Sequence, residues 1–342
     1  MVFRHGASAH PGPDGPPLPA AHHTAPARGR IDEASAAMRF GGLFRERNFY
    51  QSRAAKTAYR GLRRGFAKVG LDVVVKTFYS PIPDLEQLPP GTFSRRSELP
   101  GTGWDLDRQL EFVRGLKEPL AEFRSVVDGS GDPWQYAPNL SYTEADASML
   151  YAMIRTAKPK RIVELGSGHS TLVTAQAARR NASEGDAPTL EVFDPFPSVV
   201  TDDLPGLTRL DRVGAQQVPL SVFETLEPGD VLFVDTTHTV KVGSDVNFIV
   251  LEVLPRLREG VYVHLHDIFL PYEYPQQWLE DYGLYWTEQY LVHAFLIYNS
   301  GFEVLAAMHA LQRDRRDAMA ELLPPAVADW PGGAFWMRRA GS

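Results

Sequence analysis

With 342 residues, 44% of them apolar and 23% charged, the chain is long enough for one large or two modest domains with buried cores. Its formal charge of −7 excludes nucleic-acid binding across the whole surface, and the lack of any cysteine excludes disulfides, thiolate metal sites and a cysteine nucleophile. No apolar run reaches the length of a membrane span and no signal-peptide core opens the chain, so a cytoplasmic location is expected.

Residues 1–36 are rich in Pro, Gly, Ala and His without apolar periodicity, which predicts a disordered arm. His5, His10, His22 and His23 there lack a scaffold to fix metal geometry and are read as solvated; a chain starting at Met38 is equally compatible. Residues 37–138 are expected to form a helical and extended N-terminal segment. Within it, residues 43–68 carry eight Lys or Arg against one acid, Glu46, interleaved with Phe44, Phe49, Tyr50, Tyr59 and Phe66. Such a segment suits a peripheral membrane contact or an acidic partner, but its apolar positions read as scattered, which favours packing on the main domain. Pro-rich punctuation over 80–91 predicts a linker, and Leu106 to Val127 a helix with Asp105 as N-cap.

Residues 139–342 form the main expected domain. Ser141 or Thr143 caps a helix that Pro159 stops, just before Arg161-Ile-Val-Glu-Leu-Gly-Ser-Gly-His-Ser170. That stretch reads as a strand, a tight turn through Gly166 and Gly168, and a helix start whose free N–H groups face a ligand. A second strand, Thr189 to Phe193, closes on Asp194, an acid placed to accept from ribose hydroxyls. Weaker patterns give a strand over Leu207 to Val213 and a short helix over Val218 to Leu226. Asp230 to Asp235 is a buried parallel strand followed by Thr236, Thr237 and His238; Asp245 to Arg258 is an amphipathic helix. Val261 to Asp267 is the fifth strand, with Tyr262, His264 and His266 on one face; Trp278 to Tyr298 is a helix, and Gly301–Met308 and Gly333–Arg338 are the last strands. His264 reads as a core histidine hydrogen-bonded to backbone. The order predicts an α/β fold with a doubly wound, mostly parallel seven-stranded sheet and ligands beyond the strands' carboxyl ends, where Glu164, Asp194, Asp235 and Asp267 fall.

The pattern E-x-G-x-G at Glu164, Gly166 and Gly168 resembles motif I of class I S-adenosylmethionine-dependent methyltransferases; a dinucleotide-binding oxidoreductase would need glycine where Thr171 stands. From Asn139 to Asp267 the chain resembles methyltransferases of the family-24 type, in which strand four ends Asp-x-x-His and strand five His-x-His-Asp before an aromatic loop. Here these are Asp235 and His238, then His264, His266 and Asp267, followed by Phe269, Tyr272 and Tyr274. The resemblance implies S-adenosylmethionine as cofactor, held by Glu164, Gly166, Ser167, Gly168, Ser170, Asp194 and Asp235, with Tyr142 near the ligand. It implies methyl transfer to a small hydroxylated acceptor, a sugar or natural product. Deprotonation would fall to His238 or His266, of near-neutral pKa, oriented by Asp235 or Asp267.

Asp235 and Asp267 also resemble the carboxylate ligands of metal-dependent O-methyltransferases. Those usually carry a further Asp or Asn after the second acid, where this chain has Ile268, so a divalent metal is the less favoured alternative. A methyltransferase-like protein used only for binding is the other alternative, and the retained strand-end acids and histidines argue against it. No nucleic-acid partner is expected, and the sequence does not specify an oligomeric state.

Overall fold

The computed structural model describes residues 52–77, 79–127, 134–323 and 332–341. The arm expected over 1–36, with its four histidines, and the first part of the basic segment, 43–51, lie outside them. The chain divides into two compact units, Met1–Ile82 and Pro83–Ser342. In the first, helix α1 (Arg53–Ala67) is capped by Ser52, whose hydroxyl accepts from the Ala55 N–H. The boundary expected near 138 lies inside the second unit, because the helices before it share that unit's core.

Asp105 caps α2 (Leu106–Arg114), accepting from the N–H groups of Asp107 and Arg108. The expected single helix is broken at Gly115 and Leu116, and α3 (Lys117–Val127) follows. Leu110, Val113, Leu120 and Phe123 are buried in the same core as the sheet, which is why both helices belong to it. Thr143 rather than Ser141 caps α4 (Glu144–Ala157), which is buried along most of its length.

The strands are β1 (Arg161–Leu165), β2 (Thr189–Phe193), β3 (Arg209–Asp211), β4 (Val231–Val234), β5 (Tyr262–Leu265), β6 (Phe302–Ala307) and β7 (Phe335–Arg339). They form one seven-stranded sheet in the order β3-β2-β1-β4-β5-β7-β6, with β7 antiparallel to both neighbours. This is the doubly wound sheet closed by a terminal pair that the sequence led us to expect. The apolar run of β4 is buried throughout, as a parallel strand covered on both faces must be.

Helix α5 (His169–Ser183) follows β1, and α6 (Leu220–Glu224) precedes β4. The helix expected over 245–258 begins as α7 (Asp245–Phe248), then widens into a π turn at Ile249–Val253 and tightens to a 3-10 turn at Leu254–Arg256. The single helix expected over 278–298 is two, α8 (Gln276–Glu280) and α9 (Glu288–Leu296); Gly283, at φ 64°, lies between them. Helices α10 (Met308–Asp314) and α11 (Arg316–Leu322) lie between β6 and the described start of the β7 segment. No helix among the described residues is long and apolar enough to cross a membrane.

Candidate active site at the carboxyl rim of the sheet

Parallel pairing sets the strand ends side by side. Leu165 is in register with Phe193 on one side and Val234 on the other, and Val234 with Leu265. The turn at Gly166, Asp194, Asp235 and His266 therefore lie along one rim. Gly166 has φ 87°, and a Cβ there would overlap the carbonyl oxygen of Asp235, so only glycine lets the turn pass under the end of β4. Nothing lies within 4 Å of the position a Cβ would take on Gly168, which leaves this part of the turn open to a ligand.

Glu164 is completely buried inside β1, and the hydroxyls of Ser170 and Thr171 each donate to its Oε1 at 2.8 Å. Its Oε2 has no partner among the described residues. Burial, opposed by those two hydroxyls, pushes its carboxyl up to about 8. Thr171, which breaks the dinucleotide fingerprint, thus serves the acid of the turn. Asp194 accepts from the N–H and hydroxyl of Ser167 at 2.9 and 2.5 Å, and from the Phe196 N–H at 2.7 Å, fastening the end of β2 to the glycine turn. Tyr142 is buried with its ring 4.9 Å from that of His266, and its hydroxyl has no partner among the described residues.

Four residues expected to carry the chemistry come together here. Nε2 of His238 lies 3.1 Å from Asp235 Oδ1 and 3.6 Å from Asp267 Oδ2. Nδ1 of His266 lies 3.6 Å from Asp235 Oδ2 and 3.5 Å from Asp267 Oδ2. Both imidazoles thus turn one nitrogen toward the same pair of carboxylates. His238 and Asp267 hold this arrangement with left-handed backbones, φ 53° and 56°, a conformation uncommon outside glycine.

Two acids that the sequence did not single out complete the cluster. Glu288, at the start of α9, places Oε2 2.8 Å from His238 Nδ1; Asp146, in the first turn of α4, places Oδ2 3.3 Å from His266 Nε2. Each is 1% exposed, so each is a carboxylate buried behind an imidazole. Asp146 also accepts from the N–H groups of Gly333 and Ala334, at 3.0 and 3.1 Å, tying α4 to the entry of β7. In the sequence Asp146 looks like an ordinary acid of a capped first turn, and Glu288 sits within what read as one long helix.

The electrostatics depart from the near-neutral histidine expected. Burial disfavours the His238 cation, but Asp235, Glu288 and Asp267 outweigh it and raise its pKa to about 10. Burial likewise opposes the His266 cation, and Asp267, Asp235 and Asp146 overcome it, placing it well above the usual range. Asp235, which burial alone would raise, is held at about 2 by His266 and His238. His264 is a core histidine, but neither ring nitrogen has a partner among the described residues, contrary to the expected backbone bond. It stacks on Phe233 at 4.2 Å, and burial together with the His266 charge lowers its pKa to about 3.

Above the cluster is a cavity of about 320 Å³, walled on one side by Phe269, Trp278 and Trp286. The Trp286 ring lies 4.3 Å from that of His238, so the loop between α8 and α9 forms part of the wall. Tyr272 and Tyr274 pack away from it: the Tyr272 hydroxyl donates to Asp314, and the Tyr274 hydroxyl accepts from the Gln289 N–H at 3.0 Å.

Residues 163–268 match the family model Methyltransf_24, described as a methyltransferase domain. An uncharacterized protein of Archaeoglobus fulgidus is 27% identical over 161 residues, which is 44% of this chain and 72% of that protein. Among solved structures, one titled "cmcI-N160 SAH" is 16% identical, covers 63% of this chain and 93% of its own, and has a TM-score of 0.34. A methyltransferase from Geobacter sulfurreducens is 13% identical, covers 67% of this chain and 90% of its own, and has a TM-score of 0.32. The matched residues include the glycine turn, Asp194 and both histidine-bearing strand ends, so it is over the candidate site that the chain is similar to a methyltransferase domain.

Proposed function

We propose that this protein is a methyltransferase that moves a methyl group from S-adenosylmethionine to a hydroxyl of a small acceptor held over Asp235, His238, His266 and Asp267. The observation that carries the reading is the convergence of two imidazoles and two carboxylates beside an open glycine turn. The residues present fit the cofactor: Gly168 is open, and Glu164 Oε2 and the Tyr142 hydroxyl are buried polar atoms without partners among the described residues. The turn Glu164–Ser170 and Asp194 would hold it, with Tyr142 and Asp235 flanking. Bound there, it supplies a methyl group already activated on a sulfonium. The protein's task is to orient the acceptor hydroxyl in line and to accept its proton. The aromatic wall of Phe269, Trp278 and Trp286 supports an acceptor that presents a ring face beside that hydroxyl.

A second reading of the same cluster rests on its charge. While the four carboxylates keep both imidazoles protonated, neither is a base. A divalent cation in place of those protons would leave both imidazoles neutral. Ligand atoms of Asp235, His238 and Asp267 lie within 4.8 Å of one another, and His266 faces the same carboxylates. Glu288 and Asp146 stand where the outer carboxylates of metal-bound histidines stand. Such an ion would lower the pKa of a bound hydroxyl.

Calorimetric titration with S-adenosylmethionine tests the first reading: saturable binding supports it, and no binding by the wild-type protein sinks it. Assay after exhaustive chelation separates the two accounts of the cluster. Full turnover without metal leaves deprotonation to the histidines, whereas loss restored by a divalent ion favours the second.

A further inference from the structure

Helix α1 is not used by the site described above. With its C-cap it carries Arg53, Lys56, Arg60, Arg63, Arg64 and Lys68 and no acid, on a chain whose net charge is −7. The spacing of Ala55, Tyr59, Leu62 and Phe66 places them on one face, and Val69 in the following turn continues it. Arg53, Arg60, Arg64 and Lys68 occupy the opposite arc, and Lys56 and Arg63 one flank of the stripe. The apolar positions, which looked scattered along the sequence, therefore form one stripe once the helix is wound.

That stripe is largely uncovered. Leu62 is 40% exposed, Phe66 39% and Val69 71%, and Ala55 is the only buried residue of the helix. The returning segment fastens to the helix through the Tyr59 hydroxyl, which donates to the Val73 carbonyl at 2.9 Å, and through Arg63 and Asp72 at 2.7 Å. It leaves Leu71 and Val74 exposed as well, at 55% and 40%. A helix of 15 residues gains most of its stability from packing of its apolar face, so an exposed Leu and Phe ridge calls for a surface to cover it.

We propose that α1 docks in the plane of an anionic lipid bilayer, with Tyr59, Leu62, Phe66 and Val69 in the headgroup–acyl boundary and the cations among acidic headgroups. Charge complementarity selects this occupant. The helix with its C-cap carries six cations and no acid of its own, one of them, Arg63, paired with Asp72, and this excess fits a uniformly negative surface; the long stems of Lys56 and Arg63 on one flank of the stripe can reach headgroups while the ridge is immersed. The helix rises only about 22 Å, which suits lying in the interface rather than spanning the bilayer.

The test is co-sedimentation of the full chain with vesicles of phosphatidylcholine alone and of phosphatidylcholine with one quarter phosphatidylserine, at low and high salt. Binding is expected to the anionic vesicles only, and to weaken with salt. Arg60→Glu/Arg64→Glu/Lys68→Glu, which leaves the Arg63–Asp72 pair intact, should lower the partition coefficient by about 100-fold or more. Phe66→Asp should also release the protein, and the charge-reversed control Lys117→Glu/Lys160→Glu, in the second unit, should bind as wild type. Melting temperatures should match throughout, since these side chains are exposed. Wild type left in the supernatant at low salt overturns the proposal, as does a triple variant that binds normally or a control that binds as poorly as the triple variant. Retention on immobilised polyglutamate without vesicle binding assigns the helix to an acidic protein and overturns it too. Self-association abolished by Phe66→Asp, again without vesicle binding, assigns it to a second copy with the same result.

Discussion

Glu288 Oε2 lies 2.8 Å from His238 Nδ1, and the two residues, fifty positions apart, are both buried. The backbone supports the contact, because the His238 carbonyl accepts from the N–H groups of Thr287 and Glu288 at 2.9 and 3.1 Å, seating the start of α9 on the end of the β4 loop. Burial raises the Glu288 carboxyl while His238 restrains it, and His238 itself is raised, so both partners move in the direction that keeps a proton on the pair. Glu288→Gln should therefore lower the His238 pKa from about 10 and reduce kcat/KM by roughly 10- to 100-fold, with cofactor affinity little changed. Titration of the imidazole by NMR checks the first part. An unaltered midpoint would show that Glu288 does not govern His238.

His238→Ala and His266→Ala should each retain S-adenosylmethionine binding and lose turnover by about 100-fold or more. Calorimetry and a methyl-transfer assay on the same preparations check the split. Wild-type turnover in both variants would remove the histidines from the chemistry.

Glu164 is raised from 4.5 to about 8, so the folded state holds a proton there that the unfolded chain has released. The native state binds more protons between these values, and its stability must fall as pH rises through that window. Glu164→Gln should thus stabilise the cofactor-free protein by about 1–3 kcal/mol near pH 8 and by little at pH 4.5. Thermal melts across the range check it, and a gain independent of pH would contradict the burial argument. The same variant should bind cofactor more weakly.

Asp146 is lowered even though burial alone would raise it, because His266 and the N–H groups of Ala334 and Gly333 favour the carboxylate. Its contribution to stability is present above its ordinary value of 3.8 and is lost as pH falls through the lower folded value. The His266 contribution is complete below 6.5 and fades only as pH rises through a much higher folded value. Asp146→Ala should cost about 3–5 kcal/mol at neutral pH, since it strands a buried imidazolium and two backbone donors. Urea unfolding measures it, and a loss under 1 kcal/mol would show that the charge is compensated elsewhere.

Much of the candidate site's rim was legible because strand-end chemistry is local. An apolar run closing on Asp235, a second closing on His266 and Asp267, and a turn through Gly166 each announce a strand's carboxyl end within a few residues. Parallel pairing then brings those ends together without further information. The same local reasoning placed one cap at Asp105 and narrowed the next to Ser141 or Thr143, of which the structure uses Thr143; in each case one side chain satisfies N–H groups two or three residues away.

What lay outside that reach depended on distance or on burial. Glu288 and Asp146 reach the histidines across 50 and 120 positions, and nothing in a helix's first turn distinguishes an acid that will be buried from one that stays in water. The histidine pKa values follow from four carboxylates assembled around two rings, so residue type alone suggested neutrality where the packed site keeps the rings charged. The sequence by itself determined the order of strands, the glycine turn and the chemical groups at the rim, because those depend on periodicity and near neighbours. Only the tertiary structure decided which acids stand behind which imidazoles, because that depends on how α4 and α9 pack against the ends of β4 and β5.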